Sequence, residues 1–451
     1  MFNYNRTVIK RFVINLDDEP TKRWSNVLSD PDLRPRLIDM LQNLENLFSD
    51  QHDPPPEGFH SRNDFFHQLT QNLFLQLHAL GSTELVEEMK GIAANLDVPI
   101  WDVALLHLLY EAEGGGCTSI IIADSIHHAP LVGRVLDWDF ADLLTPLTVE
   151  VVLERHGMVV LQGLTFVGFV GMLTARRPNL CAAAVHYRRP NDGEDGHDKN
   201  DEKNESVIPQ RKQRRKQRRR RPPQLPPPLP PSPERPAWPV AMLVRHVLQA
   251  PGLESFDEVM VLLRDMPLWS GCYIVLTGTR REHVVVMSRE TLHCVGERRM
   301  QDSGDKLLIQ TNVDDVDDMD DMDDMDDMDD MDDVMNQSFM NSAARDRVVR
   351  TYFEDKEKTS DREDTNDNIA EQLWEVMSVA PVLDESTVHA CVFGACHQMS
   401  SGVKVVNLEE QESKRRKDVN TLLKTTMVGV VFVCIVLSLW LRYGLTKVYM
   451  Y

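Results

Sequence analysis

The stretch EAEGGGCTSIII sets Cys117 directly behind three glycines and directly ahead of a β-branched run. A thiol at the first residue of a strand is open to approach from its N-terminal side. If the Gly116–Cys117 bond is cut, one residue owns both a thiol and a free α-amine. With an ordinary pKa near ~8, that amine can accept the thiol proton around neutral or mildly acidic pH. Nucleophile and base then come from a single residue. In VGRVLDWD, Arg134 and Asp137 lie three apart on a predicted strand that leads back beside Cys117. A carboxylate there can hold the new ammonium, and a guanidinium can lower the thiol pKa. The same residues also read as a structural thiol beside an ordinary buried ion pair.

Stepping along the chain, residues 1 to about 110 read mostly as helix, with apolar positions at three and four spacings in DLRPRLIDMLQNLENLF and SRNDFFHQLTQNLFLQLHAL. From Cys117 the period shortens. CTSIIIA, LVGRVLDW, LTVEVVLER, MVVLQGLTF and LCAAAVHY are short β-rich runs separated by turn residues, which predicts an antiparallel meander. VAMLVRHVLQA and SFDEVMVLLRDM return to helical spacing before the hairpin CYIVLTGTRREHVVVMS. Strands flanked by helical layers predict a layered α+β body.

Two low-complexity segments interrupt this order. Residues 191–236 are polar, then basic (RKQRRKQRRRR), then proline-rich, a composition that cannot bury a core. The basic run invites contact with anionic lipid, and a nucleic-acid partner is not expected of the body. The second segment, 314–333, repeats MDD and holds 14 of the aspartates behind the formal net charge of −22. Without them the chain is only mildly acidic. Neither segment has the spacing of an ordered calcium loop. The seven cysteines lack paired CxxC spacing, so neither a zinc site nor a disulfide framework is predicted, and no cofactor is called for. Residues 425–441 are uncharged, apolar and flanked by Lys424 and Arg442, which predicts a transmembrane anchor behind a basic linker, 406–424.

Several stretches together resemble the family of acid ceramidase and N-acylethanolamine-hydrolysing acid amidase. They are RFVINLDDEPTKRW, CTSIIIADSIHHAPLVGRVLDW, PLTVEVVLERHGMVVLQGLTFVGFVGMLT, WPVAMLVRHVL, LLIQTNVDD and LWEVMSVAPVL, in family order. The resemblance implies an αββα sandwich of the N-terminal-nucleophile type, here with a C-terminal transmembrane helix. It implies a precursor that cuts itself before Cys117 into a helical region, 1–116, and a catalytic region, 117–405, paired as an α/β heterodimer. Cys117 is then nucleophile and base, Arg134 and Asp137 orient it, and Asn312 donates to the oxyanion. Arg347, in ARDRVV, matches the arginine of the family's DDRR segment. The implied substrates are amphiphilic N-acyl lipids, N-acylethanolamines or ceramide. Where the family strand ends in an acidic pair this chain reads HYRR, so Tyr187 stands in place of a carboxylate. That departure leaves open a catalytically impaired member acting as a membrane-anchored adaptor. Topology is divided as well: the resemblance implies a lysosomal lumen, whereas no signal peptide is visible in MFNYNRTVIKRFVINL and the basic flank before the anchor favours a cytosolic body.

Overall fold

The β-rich runs after Cys117 form strands, but they divide between two sheets instead of joining in one meander. The computed structural model describes residues 9–48, 61–112, 115–123, 129–138, 140–188, 235–300, 306–313, 334–359, 366–384 and 386–402. Residues 191–234 of the basic insertion, the MDD repeat, the basic linker and the expected anchor lie outside the described residues. Among the described residues no helix is long and apolar enough to cross a membrane.

The chain enters through strand β1 (Arg11–Asn15), then helices α1 (Ser25–Leu28), α2 (Leu33–Phe48), α3 (Arg62–Ala79), α4 (Thr83–Leu96) and α5 (Ile100–Ala112). Strands β2 (Cys117–Ile122) and β3 (Leu131–Asp137) follow, then the single turn α6 (Ala141–Leu144). Next come β4 (Thr148–Arg155), β5 (Met158–Phe166), β6 (Thr174–Arg177) and β7 (Cys181–Tyr187). Helices α7 (Val240–Gln249) and α8 (Phe256–Asp265) lead into β8 (Cys272–Thr277), β9 (Val284–Arg289), β10 (Cys294–Arg299) and β11 (Leu307–Gln310). Helices α9 (Val334–Thr359) and α10 (Asn366–Met377) precede β12 (Thr387–Phe393) and β13 (Ser400–Gly402).

One sheet runs β11-β2-β3-β12-β13 and the other β1-β4-β5-β6-β7-β8-β9-β10. The second contains the expected meander. It also takes in β1, a strand inside the region expected to be helical, which pairs parallel to β4. The sheets stack face to face across Ile121, Val132, Ala182, Ala184, Tyr273 and Val275. Alanines in CAAAV leave room for that approach. Helices α9 and α10 lie on the five-stranded sheet and α7 on the other. The result is an αββα sandwich, and it explains why β2 and β3 are buried at every position. A strand covered on both faces reads as a continuous apolar run rather than an alternating one.

The region before Cys117 is fastened to the region after it by buried polar contacts. Glu88 accepts hydrogen bonds from Arg245 (2.7 Å), Arg23 (2.9 Å) and the Trp24 indole (2.8 Å). Burial alone would raise the Glu88 carboxyl, yet Arg245 and Arg23 hold it below its ordinary value. His107 accepts from the Val170 amide at 2.8 Å, which fixes the loop after β5 on α5.

Candidate active site

Cys117 opens β2 with no exposed surface, opposite Leu136 of β3. Its neighbour Gly115 passes so close to β3 that a Cβ there would stand 1.9 Å from the Asp137 carbonyl oxygen. Only glycine fits that approach. The leader is therefore pinned to β3, and the Asp137 amide donates to the Gly116 carbonyl at 2.8 Å.

Residues three apart on a strand point to opposite faces, so Arg134 and Asp137 serve Cys117 from two sides. Arg134 points between the sheets, where its Nη2 donates to Cys117 Sγ at 3.3 Å and to the Val185 carbonyl of β7 at 2.6 Å. It is fully buried, and among the described residues its Nε and Nη1 find no partner and no carboxylate pairs with it. Burial pushes the Cys117 thiol above its ordinary pKa, and Arg134 is the leading influence pulling it back. Asp137 faces the outer helices. Its carboxylate accepts from Arg345 Nη1 of α9 at 2.7 Å and from the Thr387 hydroxyl of β12 at 2.7 Å. Burial raises it to about 7 even so.

Asn312, just beyond β11, binds the leader and the nucleophile together. Its Oδ1 accepts the Cys117 amide at 2.6 Å, while Nδ2 donates to the carbonyls of Tyr187 (2.9 Å) and Gly115 (3.3 Å). Cys117, Arg134, Asp137 and Asn312 are thus brought together. Arg347 is not: it is exposed on α9, and Arg345, two residues earlier, is the arginine in the site. Two residues on a helix are separated by about 200°, so the pair cannot share a face.

Further polar groups lie close by. Ser119 shares a 2.7 Å hydrogen bond with His186 of β7, both buried. Burial, and then the charges of Arg134 and Arg345, hold His186 far below its ordinary pKa, so the pair is a neutral rivet between the sheets. The sequence offers no periodic signal for it, since a serine and a histidine fit either face of a strand.

No family model matches the chain. The chain is 24% identical to the Caenorhabditis elegans N-acylethanolamine-hydrolyzing acid amidase over 68% of its own length and 74% of that protein. It is 33% identical to acid ceramidase of Bos taurus over 198 residues, 40% of this chain and 46% of that protein. The Homo sapiens acid ceramidase gives 30% over 41% and 46%. Each of these ceramidase matches spans under half of the relative's length. The relatives it resembles are thus acid ceramidases and an N-acylethanolamine-hydrolyzing acid amidase. A solved structure, that of the Caenorhabditis elegans N-acylethanolamine-hydrolyzing acid amidase ortholog, aligns at 22% identity and a TM-score of 0.40, covering 62% of this chain and 93% of that one.

The end of α5 also carries a buried titratable group, Glu111. Glu111 accepts the Val240 amide at the start of α7 at 2.7 Å, and burial raises its carboxyl to about 7. The folded value lies above the unfolded one, so the native state keeps its proton between about 4.5 and about 7, where the unfolded chain has lost it. Stability from this group therefore falls as pH rises through that window, by about 1.4 kcal/mol per pH unit. Glu111→Gln keeps the acceptor and has no proton to lose. Urea unfolding of both proteins from pH 4.5 to 8 should show the variant gaining on the parent as pH rises and levelling off near pH 7. A difference that does not change with pH would mean that Glu111 is ionised throughout.

Proposed function

We propose that this chain is a lipid amidase that cuts itself before Cys117 and then hydrolyses amphiphilic N-acyl lipids through a thioester on that residue. The observation that carries the reading is Arg134: a fully buried guanidinium that donates to Cys117 Sγ and has no carboxylate partner among the described residues. A buried cation without a counter-ion costs several kcal/mol, about what breaking a buried pair costs. A structural thiol gives no return for that cost, whereas a thiolate is the missing anion.

In the self-cleavage step Cys117 Sγ bonds to the Gly116 carbonyl carbon, whose oxygen already accepts from the Asp137 amide. The carbon–nitrogen bond breaks and the thiol proton passes to the departing amine. Water then splits the Gly116 thioester, leaving a carboxylate on one fragment and a free thiol on the other. The new ammonium stays against Asn312 Oδ1, which already holds that nitrogen. Departure of the leader also removes Gly115, one of the two acceptors of Asn312 Nδ2. That donor is then available to a substrate's acyl oxygen, a role typically worth ~3 to 4 kcal/mol of barrier.

Turnover repeats the chemistry on a bound lipid amide. The α-amine takes the thiol proton, Sγ attacks the acyl carbon, and the amine half leaves with that proton. Water releases the fatty acid. The contacts of Glu88, His107 and β1 keep the two fragments associated as an α/β pair. The relatives act on N-acylethanolamines or ceramide by name, and the choice between those amines belongs to this proposal.

The test is intact-mass analysis of the purified full chain before and after incubation at pH 4.5, followed by assay against N-palmitoylethanolamine and a ceramide. Two fragments divided between Gly116 and Cys117, together with released fatty acid, are expected. An unbroken chain that releases none would refute the reading.

A further inference from the structure

Beside the nucleophile, the structure leaves two buried donors unused by the chemistry above. Tyr110, at the end of α5, has no exposed surface, and Trp138 follows Asp137 with 2% exposure. Among the described residues neither the Tyr110 hydroxyl nor the Trp138 indole N–H finds a partner. The two rings meet edge to face, with centroids 6.2 Å apart, and Tyr187 closes the cluster 6.1 Å from Tyr110. The leader lies against this cluster: a Cβ on Gly115 would stand 3.1 Å from Trp138 Cγ. Burying two such donors unpaired costs folding free energy unless a ligand or water satisfies them.

We propose that Tyr110, with Trp138 beside it, is a specificity site that hydrogen-bonds the hydroxyl of the substrate's amine half, an inference that rests on the amidase reading. The argument is by elimination among the acceptors of an N-acyl lipid. The acyl oxygen is provided for by Asn312 Nδ2, the donor that holds Gly115 in the intact chain. The acyl chain beyond the carbonyl is hydrocarbon and accepts nothing. The remaining oxygen lies on the amine, a short distance past the scissile nitrogen. Burial also raises the Tyr110 phenol well above its ordinary pKa, so its hydroxyl stays a donor at neutral and acidic pH. Tyr187 adds to the same wall at the position where a carboxylate was expected, so an aromatic face replaces a charged one there. Recognition in this chain then rests on neutral donors rather than on a carboxylate.

A substrate pair that differs in one oxygen tests this. N-palmitoylethanolamine and N-propylpalmitamide have the same length, and only the first carries the hydroxyl. The self-cleaved full-length protein should favour the first by about tenfold or more in kcat/KM, the discrimination expected of a buried donor left unpaired by the analogue. In Tyr110→Phe, which keeps the ring and its packing, the ratio should collapse to within about twofold while the break before Cys117 still forms by intact mass. A ratio that survives Tyr110→Phe, because both amides lose rate equally or neither does, overturns the inference and leaves the amidase reading standing. Parent protein that hydrolyses neither amide overturns both.

Discussion

Cys117→Ala is expected to leave the chain unbroken at every pH and to reduce release of fatty acid by more than about 10³-fold, because both reactions pass through the same sulfur. The substitution removes one buried atom next to Arg134 and Gly115, and β2 keeps its register with β3 from Leu131 to Leu136. The lost packing is small, on the order of 1 kcal/mol. Folding is therefore not the reason for the loss. Cys181→Ala is the control. Cys181 is equally buried, burial pushes its thiol to about 12, and no guanidinium donates to its sulfur among the described hydrogen bonds. It should cut and turn over like the parent. Intact mass reads the first reaction and lipid mass spectrometry the second. Ordinary turnover by Cys117→Ala would remove the proposal at its base.

What the sequence disclosed and what it hid have physical reasons. The strand after Cys117 was legible because CTSIII is β-branched and apolar throughout. Its sheet was not, since a strand buried on both faces carries no alternation to say which neighbours cover it. The same ambiguity merged β2 and β3 with the meander that begins at β4. Strand β1 was lost in a helical region because RFVIN is five residues long and its partner lies about 140 residues away in β4. Local pattern cannot see such a pairing. The sequence shows three glycines before Cys117 without saying which is needed, and it is Gly115 that the Asp137 carbonyl against it demands. Arg134 and Asp137 were singled out by their spacing and Asn312 by the resemblance, but the division of Arg134 and Asp137 between the two faces of β3 needed coordinates. The arginine on α9 was placed two residues late. Helical burial corrects it: Ser342, Arg345 and Val349 share the inward stripe, while Arg347 and Arg350 face outward.

That correction carries the second large effect. Arg345 and Asp137 are almost wholly inaccessible, at 3% and 4% of their side chains, and stand 2.7 Å apart. Arg345→Ala leaves the carboxylate buried with the Thr387 hydroxyl, and breaking such a pair costs about 3–5 kcal/mol. Arg347→Ala, on the exposed face, should change stability by no more than about 0.5 kcal/mol. The penalty at Arg345 depends on pH in a definite direction. Asp137 already has its folded pKa raised to about 7 by burial against Arg345's pull, and losing Arg345 raises it further. A raised carboxyl keeps its proton in the folded state, so the variant regains stability as pH falls and loses it as pH rises. Denaturant melts at pH 5 and pH 8 should therefore differ more for Arg345→Ala than for the parent. Asp137→Asn in the same chain should recover most of the loss at pH 8, because no charge is left to strand. Cleavage should slow in step, since the Asp137 backbone holds the Gly116 carbonyl and its side chain is anchored by this pair. Greater damage from Arg347→Ala than from Arg345→Ala would mean that the other face of α9 meets the site.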